Sequence, residues 1–485
     1  MKTRFTLGVL ITLLALVLGL TTASAHDPTF GVVPAVVTDT IAPGNSIDVP
    51  KTVHTLAIPP LVDICLVEDE TGSFADDIAN LQALVGPGGS LIAALDATGS
   101  NYATCVVGYR DFAQDGWGDP GDWVYRRLAD VTVGGGGFAL GVPLLTAGGG
   151  GDLPEAQLEA LHYLSDPLHA AVDSNGDADT VDANDTAAGL QPNWRLGSTR
   201  VAMLATDADC HITGDTGGWP GDGGTTSAAV TAGILNSAGI TVIGLTPGGA
   251  GDIGCVDTLA AGTGGSVHPT TATGEAIGDA ILAGLGNLPV TVTPQIGTCD
   301  ASLLVTFDQP SQIVISGEDA SFLETIAVSA AAPQGQTLLC TVTWLVDGVN
   351  PGPEFVEQIS ITVPDVTPPV AACPEGVNPS GKKVPQAPGK GQNEDGFYEL
   401  TASDNVDSDP EIFVGDTGSS FTAGPFPSGT NIKLVQAPGA DPGVKPGPNE
   451  VDWMITLNGD AIVYAVDASG NVSDTASCLV PPPPK

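Results

Sequence analysis

The chain has 485 residues, too many for one hydrophobic core at roughly 100 to 200 residues per domain, so two to four domains are expected. Its 56 acidic and 14 basic side chains give a formal charge of −42; such a surface repels nucleic acid and anionic lipid and attracts cations, or merely keeps the protein soluble in a saline habitat. The 64 glycines, 39 prolines and low aromatic content indicate a loop-rich, strand-rich extracellular protein rather than a helical one.

Residues 1–25 have the pattern of a cleaved signal peptide. Lys2 and Arg4 precede an apolar run over residues 5–20, and small residues at 23–25 supply a cleavage site. The run is shorter than the roughly 20 residues that a membrane-spanning helix needs, so an N-terminal anchor is the less favoured interpretation. We expect export, with no transmembrane segment later in the chain.

Residues 26–58 contain an extended stretch before the first domain. Apolar residues alternate from 46 to 58, which predicts a strand that belongs to a β-sandwich formed later in the chain. The domain in between would then be inserted between two strands of that sandwich. The alternative is a simple linker.

Residues 59–288 combine two patterns. Near-continuous apolar runs at 61–67, 103–109, 200–205 and 240–245 predict strands buried on both faces of a parallel sheet. Apolar residues at helical spacing lie between these runs. Together they predict a doubly wound, Rossmann-like α/β domain.

Polar residues follow these strands where a parallel sheet would bring them into one crevice. Asp69, Thr71 and Ser73 come directly after the first run, and a turn can aim their oxygens at one point. Glu155 and Asp207 occupy equivalent places farther along. Oxygen donors without thiolate or imidazole select Mg²⁺, Mn²⁺ or Ca²⁺ and argue against zinc.

Residues 69–73, Asp-Glu-Thr-Gly-Ser, are similar to the Asp-x-Ser/Thr-x-Ser signature of the metal-ion-dependent adhesion site in von Willebrand factor A domains. Four neighbouring motifs resemble the integrin-β type of this domain. They are Ser-Phe-Ala-Asp-Asp at 73–77, Asp-Leu-Pro-Glu at 152–155, Asn-Trp-Arg at 193–195, and Thr-Asp-Ala-Asp-Cys-His at 206–211 with Gly-Asp at 214–215. The resemblance covers roughly residues 60–290.

The resemblance implies two cation sites and raises a third. The primary site would hold Mg²⁺ or Mn²⁺, with some carboxylates acting through water, on Asp69, Thr71, Ser73, Glu155 and Asp207. The adjacent site would hold Ca²⁺ on Ser73, Asp76 and Asp77. The family's third site would use Asp152, Glu155 and the Pro154 carbonyl, but Gly150 stands where the family has Asn, and a loop Asp matches Asp115 only if the alignment slips by one.

Two loops of this domain are candidates for binding. The loop at 114–127 is the candidate ligand rim, with Trp117, Asp119, Asp122 and Trp123, although Trp123 and Tyr125 would equally suit the start of a strand. The run at 173–185 places oxygens at alternate positions, as in a calcium loop, on Asp173, Asn175, Asp177 and Asp179. Ala178 and Asn184 replace the usual Gly and Glu, so a solvated acidic loop remains the alternative.

The C-terminal part is all β. Alternating apolar residues over 289–364 predict a β-sandwich. Asp-Val-Thr-Pro-Pro at 365–369 marks a boundary, and this opening together with Asp-Ala-Ser-Gly-Asn at 467–471 resembles the two ends of a hyalin repeat, an immunoglobulin-like module. That domain would span 365–480, before a proline-rich tail at 481–485.

Eight cysteines in an exported chain favour disulfides over metal thiolates. The favoured pairs are Cys299 with Cys340 and Cys373 with Cys478, since each would staple one small domain. Cys210 with Cys255 is a further pairing. Cys65 and Cys105 lie in two apolar runs, where free buried thiols compete with a fourth bridge.

The function that follows is a secreted or cell-surface adhesion or ligand-binding protein. A cation with one exchangeable position would capture an acidic group of an extracellular protein or glycan. A calcium-stiffened matrix or scaffold protein without ligand exchange at the metal is the alternative, and a hydrolase-associated module is a remote one. No Gly-x-Ser-x-Gly elbow, His-Glu-x-x-His helix or phosphate loop occurs, so no enzymatic activity is expected.

Overall fold

The computed structural model describes residues 30–114, 116–181, 185–212, 227–271, 276–376, 396–447 and 451–481. The predicted signal peptide lies outside these residues, and so do Asp115, Asn184, the Gly-Asp pair at 214–215 and most of the proline-rich tail.

Within the described residues, the first half of the chain contains nine strands, seven α-helices and two 3₁₀ turns at Gly72–Phe74 and Val142–Leu144. The strands are β1 (Gly31–Val33), β2 (Val36–Thr40), β3 (Ser46–His54), β4 (Leu61–Asp69), β5 (Asn101–Tyr109), β6 (Arg126–Val133), β7 (Thr199–Ala205), β8 (Ile240–Thr246) and β9 (Val267–Pro269). The helices are α1 (Ala75–Val85), α2 (Leu91–Asp96), α3 (Gly136–Gly141), α4 (Gln157–Ser165), α5 (Ala228–Ser237), α6 (Gly254–Thr263) and α7 (Ile277–Leu285).

The second half is built from strands and a short 3₁₀ turn at Pro353–Phe355. The strands up to residue 362 are β10 (Pro289–Cys299), β11 (Leu303–Phe307), β12 (Gln312–Ile315), β13 (Asp319–Val328), β14 (Thr337–Val346) and β15 (Val356–Thr362). Those that follow are β16 (Val370–Ala372), β17 (Phe397–Ser403), β18 (Glu411–Asp416), β19 (Thr422–Phe426), β20 (Thr430–Gln436), β21 (Gly443–Pro446), β22 (Trp453–Leu457), β23 (Ala461–Val466) and β24 (Ala476–Cys478).

The α/β domain is a six-stranded sheet in the order β6-β5-β4-β7-β8-β9. All neighbouring strands are parallel except β6, which runs antiparallel to β5. Strand β4 lies in the middle, and its side chains alternate between two cores: Ile64 and Leu66 face Phe74 of the α1 side, whereas Cys65 and Val67 face the α4 side. Burial on both faces explains the near-continuous apolar runs. No helix in the described part of the chain is long and apolar enough to cross a membrane.

The α/β domain is inserted into a β-sandwich. Strand β3 pairs antiparallel with β13 along all of its nine residues, within the sheet β1-β3-β13-β11. Strand β10 belongs to the facing sheet, β12-β10-β14-β15-β2. The chain enters the α/β domain after β3 and returns to the sandwich before β10. The turn between β12 and β13 is hydrogen-bonded at both places: Thr55 Oγ1 donates to Glu318 O at 2.8 Å, and Ser316 Oγ donates to Leu288 O at 3.0 Å.

The C-terminal domain is a second sandwich of two sheets, β16-β17-β20-β22-β21 and β19-β18-β23-β24. Its core is formed by inward-facing residues of both sheets, among them Leu400, Val414, Ile455 and Val463. The chain is therefore a mixed α/β domain together with two all-β units, in which strands outnumber helices.

Four disulfides staple these units. Cys299–Cys340 joins β10 to β14, Cys373–Cys478 ties the start of the C-terminal domain to β24, and Cys210–Cys255 fixes a loop to α6. Cys65–Cys105 joins the adjacent strands β4 and β5, so the two cysteines whose state the sequence left open form the fourth bridge.

Candidate metal centre

The centre of the site is Asp69, the last residue of the central strand β4 and fully buried. Its Oδ1 accepts hydrogen bonds from the backbone N of Thr71 at 2.9 Å and from Thr71 Oγ1 at 2.7 Å. Its Oδ2 accepts one from Thr206 Oγ1 at 2.8 Å. Because β4 and β7 are parallel neighbours, the residues that follow them meet at the same sheet edge.

Hydroxyl and carboxylate oxygens continue outward from Asp69. Thr71 Oγ1 lies 3.3 Å from Ser73 Oγ, and Ser73 Oγ donates to Asp207 Oδ1 at 3.0 Å. Ser73 and Asp207 are exposed, whereas Asp69 and Thr71 are buried. The sequence motif therefore forms a contiguous row of oxygen donors that runs from the sheet to solvent.

Glu155 approaches this row from another loop. Its backbone is fixed by two hydrogen bonds of 2.9 Å, from its own N to Asp209 O and from His211 N to its own O. Its side chain is buried, and Oε2 has no hydrogen-bond partner. Burial, followed by the nearby carboxylates of Asp69 and Asp111, raises the pKa of Glu155 to about 10.

The glycine loop at 148–150 closes the other side of the site. Gly72 N donates to Gly149 O at 3.2 Å, and Gly150 N donates to Asp122 Oδ2 at 2.9 Å. Gly150 has φ +73°, and a Cβ there would lie 2.9 Å from Cβ of Thr71 and 3.0 Å from Glu155 Oε1. The family's Asn at this position would therefore be crowded here, which counts against the third site at its expected place.

Two acids of the site have raised pKa values. Burial raises the pKa of Asp69 to about 6, against hydrogen bonds from Thr71 and Thr206 that lower it. Burial and the charge of Asp207 raise the pKa of Asp77 to about 6. Among the described residues, none of the ion pairs involves Asp69, Asp77, Glu155 or Asp207.

The donor set fits a hard divalent ion in chemistry, since it consists of carboxylates and hydroxyls. Unpartnered buried oxygens on Glu155 and Asp77 also fit. Among the described residues, the carboxylates of Asp69, Glu155 and Asp207 do not form a cluster within 4.8 Å of one another, and the predicted ligand set stays a prediction.

The predicted adjacent site lies at the start of α1. Asp76 is exposed, and Asp77 is buried with Oδ1 lacking a hydrogen-bond partner. The sequence interpretation missed Glu68, which is fully buried on β4 with neither carboxylate oxygen hydrogen-bonded. Burial and then the charge of Asp77 raise the pKa of Glu68 well above its usual range. An acid inside an apolar strand was the available signal.

Asp152, assigned to the doubtful third site, has different partners. Its Oδ1 lies 3.4 Å from His211 Nε2, and that nitrogen also lies 3.0 Å from Asp111 Oδ2. Oxygens of Asp111 and Asp152 and a nitrogen of His211 lie within 4.8 Å of one another. Asp111 follows the strand β5 with one residue between them. It was not predicted from the sequence, because none of the motifs that resemble the integrin-β type includes it.

Most residues of the predicted ligand rim are less exposed than the sequence suggested, and their contact with a ligand stays a prediction. Trp117 is buried edge-on against His211, with ring centroids 4.8 Å apart. Asp122 is buried and accepts from Asp119 N at 2.8 Å, from Gly150 N and from Arg110. Trp123 is half-buried between two guanidinium groups. Its ring centroid lies 3.9 Å from Cζ of Arg110 and 4.0 Å from Cζ of Arg126. Of the four rim residues, Asp119 is the exposed one, because the loop folds back to support the glycine loop.

The candidate calcium loop is described up to Val181. Asp173 Oδ2 accepts from Ala178 N at 2.9 Å, and Asn175, Asp177 and Asp179 each accept from the backbone N two residues on, at 3.0 Å. Their oxygens therefore shape the loop itself. Calcium binding there stays a prediction, and residues 182–184 lie outside the described part.

Comparisons with known proteins are weak. No family description and no curated protein matches the sequence. Similar solved structures include the ArnB paralog VWA2 from Sulfolobus acidocaldarius, at 9% identity and TM-score 0.27 over 66% of this chain and 71% of that one. They also include two pilus adhesins. SpaC from Lactobacillus rhamnosus GG, in its open conformation, has 10% identity and TM-score 0.26 over 90% and 70% of the two chains. RrgA from Streptococcus pneumoniae has 9% identity and TM-score 0.24 over 90% and 78%. These scores are too low to assign the chain to a family.

Proposed function

We propose that this protein is a secreted or cell-surface adhesion or ligand-binding protein, and that its α/β domain is a von Willebrand factor A domain of the integrin-β type. A divalent cation, Mg²⁺ or Mn²⁺, would be held at the carboxyl edge of the sheet. Its role is to capture an acidic group of an extracellular protein or glycan. No enzymatic activity is part of the proposal.

The observation that carries the proposal is the unpartnered, buried Oε2 of Glu155 beside the row of oxygens from Asp69 to Asp207. An isolated buried carboxylate is costly, and proteins compensate it with a proton, a cationic side chain or a metal. No cationic side chain pairs with Glu155 among the described ion pairs. A bound cation would offset the repulsion and still keep a position for a ligand oxygen.

The residues of the proposed metal centre differ in burial, and the buried and exposed ones have different roles. Asp69 and Thr71 are buried and hydrogen-bonded to each other, so they fix the inner end of the site. Ser73 and Asp207 are exposed and define its mouth. Thr206 and the glycine loop orient these groups from behind. The adjacent site at Asp76 and Asp77 would take Ca²⁺ and add positive charge next to the mouth.

A calcium-stiffened scaffold is the second candidate. The acidic loop that begins at Asp173 favours it, because its oxygens alternate as in a calcium loop. The two functions differ in whether a ligand reaches the metal. In a scaffold the cations only rigidify the fold.

The test compares the full chain with Asp69→Asn, a substitution of nearly the same shape. Carboxylate-coated beads serve as the acidic probe and hydroxyl-coated beads as the blank, at physiological salt to screen the protein's negative charge. The wild type should bind the carboxylate beads in Mg²⁺ and release them in chelator while its circular dichroism is unchanged. Asp69→Asn should not bind. Asp279→Asn on α7, which is exposed and has the same charge change, is the matched control.

Melting curves separate failure from the alternative. Mg²⁺ should raise the melting temperature of the wild type and of Asp279→Asn but not that of Asp69→Asn, since a ligand of the folded state stabilises it. Equal stabilisation of all three chains would rule out this metal centre. If Mg²⁺ stabilises the wild type but not Asp69→Asn, and the wild type does not bind the carboxylate beads, the result would support the scaffold function.

A further inference from the structure

A second group of acids lies far from the α/β crevice, where the sandwich meets the C-terminal domain. One carboxylate oxygen from each of Asp365, Asp404 and Asp467 lies within 4.8 Å of the other two. Asp365 is in the connection after β15, Asp404 in the loop after β17, and Asp467 in the turn after β23. Three separate segments therefore bring one acid each to the same point.

In Asp365 and Asp404 the backbone binds one carboxylate oxygen and leaves the other without a partner, whereas both oxygens of Asp467 accept from Asn471, Oδ1 from the backbone N and Oδ2 from Nδ2, each at 2.8 Å. Thr367 N donates to Asp365 Oδ1 at 3.1 Å, and Val406 N donates to Asp404 Oδ2 at 2.7 Å. The second oxygens, Asp365 Oδ2 and Asp404 Oδ1, are buried without a hydrogen-bond partner. Asp365 is only 7% exposed, so water does not readily substitute for a partner.

Nothing within the described chain neutralises this group. None of its ion pairs involves Asp365, Asp404 or Asp467. Burial, together with the charges of Asp404 and Asp467 and the contact between its carboxyl group and that of Asp467, raises the pKa of Asp365, against the hydrogen bond from Thr367 N, which lowers it. Burial acts in the same direction on Asp467, but hydrogen bonds from Asn471 outweigh it and lower the pKa of Asp467. Like charges held this close without a partner destabilise the fold.

We propose that Asp365, Asp404 and Asp467 bind a Ca²⁺ ion that clamps the connection between the two sandwiches. The donors are oxygens alone, and they come from three separate loop segments rather than from one helix or strand. Ca²⁺ suits this because it accepts six to eight oxygens in variable geometry, whereas Mg²⁺ demands a near-ideal octahedron. The site is independent of the proposed α/β metal centre and goes beyond the adhesion function.

The position of the site gives the ion a structural role. The loop that carries Asp404 also touches the first sandwich: a Cβ on Gly335 would lie 2.6 Å from Cγ1 of Val406. The connection itself is tied to the same sandwich turn, because Val366 N donates to Gln334 Oε1 at 2.8 Å. An ion that joins Asp365 to Asp404 would therefore fix the angle between the two units.

The variant that tests the site is Asp404→Asn in the full chain. Its carbonyl oxygen can still accept from Val406 N and Asp407 N, which donate to Oδ2 at 2.7 and 3.0 Å in the wild type. The amide replaces the free oxygen that the ion needs. Asp474→Asn is the matched control, because Asp474 lies exposed in the same domain and carries the same charge.

Calorimetric titration with Ca²⁺ alone should show one site fewer, or one site weakened at least about tenfold, in Asp404→Asn than in the wild type and Asp474→Asn. The difference in melting temperature between Asp404→Asn and the wild type should have opposite signs in chelator and in Ca²⁺. In chelator, Asp404→Asn should melt at or above the wild-type temperature, because one of three like charges is gone. In Ca²⁺ it should melt below the wild type. Small-angle scattering should show a narrower range of overall dimensions for the wild type in Ca²⁺ than for the variant.

The proposal is overturned if wild type and Asp404→Asn bind the same number of Ca²⁺ ions with equal affinity. It is also overturned if Asp404→Asn melts lower than the wild type by the same amount in Ca²⁺ and in chelator, since that would mark a purely structural aspartate.

Discussion

Two buried acidic groups in this protein solve the same problem in different ways. In the first sandwich, Glu324 and Glu357 face Lys51, whose Nζ lies 3.4 Å from Glu324 Oε2, donates to Glu357 Oε1 and donates to Pro34 O at 3.0 Å. All three side chains are fully buried. Among the described residues of the α/β crevice, the buried acids Asp69 and Glu155 have no such cationic partner. The sandwich thus carries its own counter-charge, whereas in the proposed metal centre an ion from solution would supply it.

The contrast between the two groups is tested most directly by replacing Lys51, the cationic side chain of the sandwich group. Lys51→Met would leave two buried glutamates without their partner, and we expect a loss of about 3–5 kcal/mol in the free energy of unfolding. Urea or guanidinium unfolding measures it, with the exposed Lys445→Met as the control. A loss below about 1 kcal/mol would mean that protons alone compensate the glutamates.

The crevice should behave in the opposite way. Glu155→Gln removes one acid from a group without a cation, so in chelator we expect equal or higher stability than in the wild type. In Mg²⁺ at 100 times the dissociation constant, the wild type should become more stable by about 2.7 kcal/mol, and the variant should lose most of this. Thermal melts with and without chelator measure both effects. A variant that is destabilised in chelator would show that Glu155 acts within the fold rather than toward a cation.

The sandwich triad should also give a pH dependence. Burial and then Glu357 raise the pKa of Glu324 from its usual 4.5 to about 8, against a lowering by Lys51. The folded state holds the proton of Glu324 more tightly than the unfolded state does. The contribution of this proton to the free energy of unfolding is therefore complete below pH 4.5 and is lost as the pH rises through about 8. The slope is at most about 1.4 kcal/mol per pH unit.

Glu324→Gln should flatten that part of the stability profile. Unfolding free energies at a series of pH values through this window measure it, and Glu399→Gln in the C-terminal domain, which is exposed, serves as the control. If the profile keeps its slope in Glu324→Gln, another group carries the titration.

The smallest effect concerns an acid that is neither paired nor placed at the metal. Asp119 is exposed, so Asp119→Ala should change the unfolding free energy by no more than about 0.5 kcal/mol and leave the affinity for Mg²⁺ unaltered. Denaturant unfolding and calorimetry measure the two quantities. Loss of Mg²⁺ binding in this variant would place the metal nearer the loop than the row from Asp69 to Asp207.

Much of the fold is encoded in local patterns. Runs buried on both faces predict the parallel sheet, and alternation such as that of β13 and β14 predicts the sandwich strands, since each records which faces are covered. A strand that starts near Trp123 and Tyr125 was an open alternative, and β6 begins at Arg126, but its antiparallel pairing was not predicted. Its burial alternates weakly, because it lies at the sheet edge and its pairing with β5 is irregular.

The site was less predictable than the fold. The motif around Asp69 gives the oxygen row because it is local in sequence. Trp117 and Asp122 were placed on the rim because aromatic and charged residues in a loop favour exposure, but the loop buries both to support the glycine loop. Glu68 had a local signal, an acid within an apolar strand, but the grouping of the acids at 365, 404 and 467 depends on contacts between distant segments, which no local pattern reports.

The insertion of the α/β domain has a mechanical consequence. If a partner binds at the crevice as proposed, tension on it would pass into the first sandwich through the two strands that connect covalently to the α/β domain, β3 and β10, which belong to different sheets. Each of these strands is flanked by paired neighbours, β3 by β1 and β13, and β10 by β12 and β14. A pull along either strand is therefore resisted in shear by many hydrogen bonds at once, and the load is divided between the two layers of the sandwich.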